Sequence, residues 1–176
     1  KLYGDIMAGI VGLTELQHTN GTSAATIASD GSVNMTGHVL QVKQVIIPKS
    51  TLSNGTTSFV STGSSLSITP SSTSSKIMIE VRGGAGHCPY VGQVLIGTIY
   101  RGSTNLSTNG LESIGNSTAG LSFASHNIAF LDSPNTTSEV TYTPYYKSDV
   151  TKADAYWNIA GIQGSDWSIT LTEIGG

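Results

Sequence analysis

Residues 65–81 hold two short runs of alternating apolar residues, and they constrain the fold more than any other part of the chain. The apolar residues of the two runs are Leu66, Ile68, Ile77, Ile79 and Val81. Alternation with a period of two is typical of a strand with one buried face. Pro70, followed by a run of Ser and Thr, cannot donate a ladder hydrogen bond and so starts a turn. The stretch therefore predicts two β-strands that each place one face in a core.

The rest of the chain repeats this pattern, with turn signals about every 8 to 12 residues, which is typical of an antiparallel β-sandwich or jelly roll. No segment has the pattern of a long amphipathic helix, which excludes a parallel α/β architecture. We therefore predict an all-β fold, with a jelly-roll sandwich over residues 38–176 and a small attachment or shaft segment over 1–37. The predicted strands are Val39–Ile47, Thr57–Ser61, Leu66–Thr69, Lys76–Gly83, Val94–Arg101, Leu121–Leu131, Glu139–Tyr146, Ala155–Ile162 and Trp167–Ile174.

Some of these strands are apolar on both faces, most clearly Val94–Arg101 and Leu121–Leu131. One face fills the sandwich, and the second must meet another surface, because monomers rarely expose large apolar patches. We therefore expect a homo-oligomer that packs through sheet faces. In Val39–Ile47 the apolar residues are out of phase with a period of two, which indicates a bulge or burial on both faces.

The first 37 residues differ from the remainder. Residues 5–16 predict a short helix that two glycines weaken. The turn signals Asn20-Gly21 and Asp30-Gly31 then flank a short strand at Ala24–Ala28. An isolated hairpin is marginal in water, so we expect this segment to be stabilised by other copies of itself or by a larger assembly.

Composition excludes several functional classes. The net charge of −3 leaves no basic footprint for nucleic acid. The single cysteine, Cys88, allows neither an intrachain disulfide nor a cysteine-based zinc site. No apolar run approaches the ~18 residues that a membrane span needs, and no signal peptide is visible. We expect no membrane insertion and no partner nucleic acid.

No arrangement of residues predicts catalysis, a cofactor or a metal. The four histidines His18, His38, His87 and His126 lack metal-ligand spacing. His87 and Cys88 are adjacent in sequence, whereas catalytic pairs are neighbours in space. The acids Asp132, Glu139, Asp149, Asp154 and Asp166 are scattered and form no calcium or glycosidase motif. The chain is predicted not to be an enzyme.

Four blocks resemble bacteriophage tail-fibre and head-fibre proteins. They are Gly37–Val42, which is similar to a "G-x-VLQV" pattern, Ser58–Val60 followed by Leu66–Ile77, Phe130–Ser138 and Ser168–Ile174. Together they extend over residues 37–176. The resemblance implies a virion protein with a trimeric jelly-roll tip, similar to the tumour-necrosis-factor fold, carried on a shaft of which residues 20–35 look like the end. It also implies contacts with other virion proteins through the N-terminal segment.

We expect host contact, with a cell-surface glycan or protein, in the glycine-rich loop Gly83–Gln93 and the long polar loop Gly102–Gly120, and at aromatic residues near loops. Tyr90, Tyr145, Tyr146, Tyr156 and Trp157 are such aromatics, equally suited to capping a sandwich core. The candidate contact residues are His87, Tyr90, Asn105, Asn109, Asn116, Tyr146 and Tyr156.

Three alternatives remain open from the sequence. The first is a capsid or tail decoration protein that binds no receptor. The second is a non-viral, secreted lectin-like module, which glycans on the Asn-Xaa-Ser/Thr triplets would favour. The third is a glycan depolymerase, which would need paired acids in a groove. The triplets begin at Asn20, Asn34, Asn54, Asn105, Asn116 and Asn135.

Overall fold

The computed structural model describes residues 13–21, 23–27, 29, 31, 33–35, 37–116, 123–151, 154–158 and 165–176. All regular structure in these residues is β-strand, as predicted. The strands are β1 (Glu15–Gln17), β2 (Ser23–Ile27), β3 (Val33–Asn34), β4 (Val39–Ile47), β5 (Leu52–Asn54), β6 (Val60–Ser61), β7 (Leu66–Ile68), β8 (Lys76–His87), β9 (Val94–Arg101), β10 (Thr104–Asn105), β11 (Glu112–Gly115), β12 (Phe123–Asp132), β13 (Val140–Ser148), β14 (Ala155–Asn158) and β15 (Trp167–Ile174).

From β4 onward the strands form two antiparallel sheets. The front sheet has the order β4-β15-β8-β12, and β14 and β5 extend it beside the end of β8. In the back sheet, β9 and β13 lie at the centre, β10 and β11 pair with β9, and β6 and β7 pair with β13. When β6/β7 and β10/β11 are each taken as one broken strand, the two sheets have the jelly-roll order 1-8-3-6 and 2-7-4-5. The predicted jelly-roll sandwich is confirmed.

The inner faces of the two sheets form one hydrophobic core. In β8, Ile77, Ile79 and Val81 alternate inward, which confirms the periodicity of the opening stretch. Trp157 of β14 and Trp167 of β15, in the same sheet, are also fully buried. Each fully buried Ile or Val side chain contributes roughly 1.5–3 kcal/mol. A shift of β8 by one residue would move all three side chains to the outer face, so the alternation specifies the register of β8.

Residues 1–12 lie outside the described residues, so most of the predicted helix at 5–16 cannot be placed. Its last two residues, Glu15 and Leu16, lie in strand β1 and not in a helix. Strands β1, β2 and β3 form a separate small antiparallel sheet around the predicted strand at 24–28. The boundary predicted at residue 37 lies between this small sheet and β4.

The glycine-rich stretch is not the predicted loop, because β8 continues through it to His87. Gly83 and Gly84 have φ of +90° and +69°, and a Cβ on Gly83 would lie 2.7 Å from the carbonyl oxygen of Asp166. These glycines therefore allow a β-bulge in β8 and a close approach of its backbone to the backbone of Asp166. The predicted loop 102–120 likewise contains β10 and β11, while residues 117–120 lie outside the described part.

Strand β4 has the predicted bounds, and its bulge is real. Glu173 pairs with Gln41 and Ile174 with Val39, so Leu40 is the extra residue. Burial on both faces of β4 is wrong, because most of its residues are exposed or half-buried at the sheet edge. Strand β9 is central, with neighbours on both sides, as its apolar pattern indicated.

The sandwich has two distinct ends. At the end we call the base, the Gly37 N–H donates to the Gly175 carbonyl (2.6 Å), and the turns at 69–75 and 133–139 connect strands. At the opposite end, the top, β4 ends and β15 begins, and segment 88–93 connects β8 to β9. The N-terminal segment therefore joins the sandwich at the base, beside the end of β15.

Candidate contact surfaces

Two predicted contact residues meet at the top of the front sheet. His87 of β8 lies between Phe123 of β12 and Tyr156 of β14, with ring centroids 4.7 Å and 5.7 Å away. The three rings form a row across adjacent strands, because Phe123 and Tyr156 both pair with His87. The imidazole is buried by its neighbours, so Phe123 and Tyr156 are the half-buried rings that a partner would reach.

Asn116 and Tyr146 are buried and cannot contact a partner in this structure. The Asn116 side-chain amide donates to the Cys88 carbonyl (2.9 Å). The backbone carbonyl of Asn116 accepts a hydrogen bond from the Gly92 N–H (2.7 Å). Tyr146 packs in the core against Trp157, and burial, with the nearby charge of Asp154, raises the pKa of its phenol to about 12. Both residues support the top from inside.

The other three candidates, Tyr90, Asn105 and Asn109, lie at the surface or just below it. Tyr90 is 51% exposed in segment 88–93, and Asn109 is exposed in the turn between β10 and β11. Asn105 is half-buried, and its side-chain oxygen accepts hydrogen bonds from the Thr98 hydroxyl (2.8 Å) and the Ser107 N–H (3.0 Å). Tyr90 and Asn109 are therefore the candidates with open side chains.

Cys88 is a core residue rather than a nucleophile. Its thiol is fully buried and donates to the Ile114 carbonyl (3.3 Å). Burial raises the pKa of the Cys88 thiol to about 11, so the thiolate is scarce at neutral pH. The adjacent His87 ring is stacked on the outer side of the sheet, and the two side chains form no pair.

A buried histidine–glutamate pair that the sequence did not suggest connects the two sheets near the top. The His126 Nδ1 of β12 lies 2.5 Å from the Glu112 Oε2 of β11, and its Nε2 lies 2.6 Å from the Trp157 carbonyl oxygen. The ring also stacks on the Trp157 indole, with centroids 3.8 Å apart. The Trp157 carbonyl can only accept, so the His126 Nε2 carries the hydrogen of that contact.

Two carboxylates close the base. Asp132 of the front sheet accepts hydrogen bonds from the Arg101 guanidinium (2.8 and 2.9 Å) and the Tyr142 hydroxyl (2.7 Å) of the back sheet. Burial, together with the hydrogen bond to Asp132, raises the pKa of Tyr142 far above its usual range. Its phenol thus remains a donor at any ordinary pH.

The second carboxylate of the base, Glu173, holds the turn at 69–75. It accepts from the Gln41 amide (2.6 Å) and from the N–H and hydroxyl of Ser71 (2.7 Å each). Burial acts to raise the pKa of Glu173, but the hydrogen bonds from Gln41 and Ser71 oppose it, and the pKa is lowered below its usual value. This residue anchors the Ser/Thr-rich turn that the opening stretch predicted.

The outer face of the front sheet carries exposed aliphatic residues, which lie beside a charged pair, Glu80 and Arg82, on the same face. Val42 of β4 pairs with Thr172, Thr172 with Met78, and Met78 with Leu131 of β12, so these residues form a row across four strands. Val42 and Leu131 are 59% and 44% exposed. We call this surface the aliphatic face; its apolar residues are Val39, Val42, Ile46, Met78, Leu131 and Ile174.

Other site types find no support in the described part of the chain. No group of three or more His, Cys, Asp or Glu residues there is placed to hold a metal ion. Within those same residues, no helix has the length and apolar character that a membrane span requires. Of the predicted glycan acceptors, Asn54 and Asn116 are buried, whereas Asn20 and Asn135 are exposed.

No family model matches the chain, and no curated protein matches it. Among solved structures, the chain is similar to a mutant VP2 protein of infectious bursal disease virus from T=1 particles, with 14% identity over 82% of this chain and 34% of that chain and a TM-score of 0.43. It is also similar to a structure of the Gx strain of that virus, with 10% identity over 81% of this chain and 38% of that chain and a TM-score of 0.41. The chain therefore spans about a third of the length of either structure.

Proposed function

We propose that this chain is a structural virion protein, the tip of a phage fibre or spike, which acts as a homotrimer and attaches the particle to the host surface. The aliphatic face is the observation that carries the trimer. The resemblance of residues 37–176 to phage fibre proteins supports the virion role. The position of the N-terminal segment at the base, opposite segment 88–93, supports a tip that presents its top outward.

The aliphatic face has the chemistry of a permanent contact. Val39, Val42 and Ile46 expose 60%, 59% and 64% of their surface along one edge strand. Leu131 continues the patch on the opposite edge of the same sheet. An exposed edge strand with apolar side chains is a liability that proteins usually cover. Packing against two further copies removes this surface from water.

The small N-terminal sheet supports the same assembly. Leu16 pairs with Ala25, and Ile27 pairs with Val33, so these four residues share one face of the sheet. Leu16 and Val33 are nevertheless exposed. Three strands this short bury too little to be stable alone. Three copies packed around an axis would bury this face and continue the trimer into a shaft.

The mass of the full chain in solution, measured by light scattering at micromolar concentration, tests the oligomer. We expect the mass of three chains. The double variant Val42→Lys/Leu131→Lys should give the mass of one chain, because two buried ammonium groups per copy oppose association. Ser113→Lys, an exposed position on β11 in the back sheet, is the matched control and should remain trimeric. A wild-type monomer would exclude the trimer.

Particle adsorption to host cells tests attachment. Exchange of the exposed residues 89–92 for a Gly/Ser segment of equal length should reduce adsorption, whereas exchange of residues 136–138 at the base should not. If both particles adsorb like wild type, the top does not attach the particle. A decoration protein that binds no receptor would then be the better assignment, and the aliphatic face would seat it on other virion proteins.

A further inference from the structure

The outer face of the back sheet holds a second surface cluster, which differs in chemistry from the aliphatic face. We call it the aromatic patch; it consists of Phe59, Tyr100, Tyr145 and Lys147. In β13 the residues Tyr142 and Tyr146 are buried in the core, so Tyr145 and Lys147 lie on the opposite, outer face. All four residues of the patch are half-buried.

The rings of the patch contact one another across three strand segments. Tyr100 of β9 and Tyr145 of β13 stack with centroids 4.0 Å apart and planes 28° from parallel. Phe59, just before β6, meets Tyr100 edge to face at 6.5 Å. The Lys147 Nζ lies 4.6 Å from the centre of the Phe59 ring. The result is an aromatic surface with one cation at its margin.

The polar groups of the patch are available to a ligand. Among the described residues, the hydroxyls of Tyr100 and Tyr145 have no hydrogen-bond partner, and Lys147 has no carboxylate partner. The two arginines differ, since Arg82 pairs with Glu80 and Arg101 with Asp132. The patch therefore combines apolar ring surface with three unused hydrogen-bond donors, one of them positively charged.

We propose that the aromatic patch binds an acidic sugar residue of a surface polysaccharide. The C–H face of a pyranose packs on aromatic rings, its hydroxyls accept from phenols, and a uronic carboxylate pairs with an ammonium group. A neutral apolar partner would leave Lys147 and both phenols unpaired. A basic partner would be repelled by Lys147. The patch lies on the sheet opposite the aliphatic face, so trimer packing leaves it open.

This inference rests on the proposed attachment role for its biological meaning, but the binding itself needs neither the particle nor the host. The competing explanation is that the stacked tyrosines only stabilise the sheet as a cross-strand pair, which contributes about 0.2–1 kcal/mol. That explanation predicts effects on unfolding and none on sugar binding, so the two are separable by experiment.

The test is calorimetric titration of the full chain with a trimer of galacturonic acid and, separately, with a trimer of galactose, which lacks the carboxylates. We expect the acidic trimer to bind about fivefold more tightly, as one exposed ion pair provides. Lys147→Met should bind both sugars equally, because it keeps the side-chain stem and loses the charge. Tyr145→Ala should weaken binding of both by about tenfold or more, the effect of losing one stacked ring.

Lys49→Met, which removes an exposed lysine outside the patch, is the matched control and should bind like wild type. Thermal unfolding of each variant separates loss of the site from loss of the fold, and Tyr100→Phe, which removes only a hydroxyl, provides a second variant that keeps the ring stack. The proposal is overturned if wild type binds neither sugar at about 10 mM, or if Tyr145→Ala and Tyr100→Phe both bind like wild type. Absence of sugar binding with intact adsorption would leave the attachment role standing.

Discussion

The base and the top of the sandwich are closed by different chemistry. At the base, Asp132 and Glu173 each accept several hydrogen bonds from strands and from the turn beside them. At the top, the His126 imidazole bridges the Glu112 carboxylate and the Trp157 carbonyl, while the exposed carboxylates of Asp149 and Asp166 each accept one hydrogen bond from a backbone N–H group (2.7 and 3.0 Å). The base therefore has two buried carboxylates that each accept several hydrogen bonds, while the top has one buried pair, His126 and Glu112, and exposed acids with one contact each.

His126→Ala should have the largest effect. Its side chain is fully buried and that of Glu112 is 10% exposed, so the variant leaves a carboxylate without its partner and a cavity beside Trp157. We expect a loss of about 3–5 kcal/mol in the free energy of unfolding, measured by urea titration. His18→Ala, at an exposed histidine, should change stability by less than about 0.5 kcal/mol. Equal effects of the two substitutions would show that the top does not depend on His126.

Asp132→Ala should follow, with a loss of about 2–3 kcal/mol, since hydrogen bonds to charged groups are worth about 1.5–3 kcal/mol. The effect is smaller than at the top because the Arg101 side chain is 28% exposed and water can solvate it. Asp154→Ala, an exposed acid bonded to Ser53, is the control. If Asp132→Ala destabilises more than His126→Ala, the proposed ranking of the two ends is wrong.

Glu173→Gln tests the base through pH. The folded-state pKa of Glu173 is lowered, so its stabilising contribution is present above the ordinary glutamate pKa and is lost as the pH falls through the folded value. We expect the variant to be about 1–3 kcal/mol less stable at pH 7, with the two stability curves converging below about pH 4. A difference that stays constant from pH 7 to pH 3 would assign the effect to packing alone.

The smallest expected effect concerns the reactivity of the Cys88 thiol. Its labelling rate measures how readily the top of the wild-type protein opens, so no substitution is needed. With a pKa of about 11, labelling of the folded protein by a disulfide reagent should accelerate about tenfold per pH unit between pH 8 and 10. A plateau near pH 9 would reveal an ordinary exposed thiol, and hence a top that opens far more readily than the base.

Local pattern predicted much of the fold. The alternation in β8 followed from a period of two, which depends only on the geometry of a strand, and the bounds of β4 followed from an apolar run that Pro48 ends. The prediction of a loop from Gly83 and Gly84 was wrong, because glycine is equally typical of a turn and of a bulge inside a strand. Local composition does not distinguish the turn from the bulge, because the choice depends on the strands that pair with β8.

The site residues divide along the same line. His87, Tyr90 and Asn109 could be singled out from their neighbours in sequence, but the burial of Asn116 and Tyr146 is set by strands that pack over them. No signal in the sequence joins His126 to Glu112, which lie on opposite sheets.

The sequence by itself determined an all-β chain, the positions of most of its strands along the chain, and a composition with neither a basic footprint nor an intrachain disulfide. Only the tertiary structure decided which faces remain open: the aliphatic face on one sheet, and on the other the aromatic patch that Phe59, Tyr100 and Tyr145 build from separate segments. The reason is physical. A strand's own residues specify its two faces, but which face meets water depends on strands that are distant in the chain.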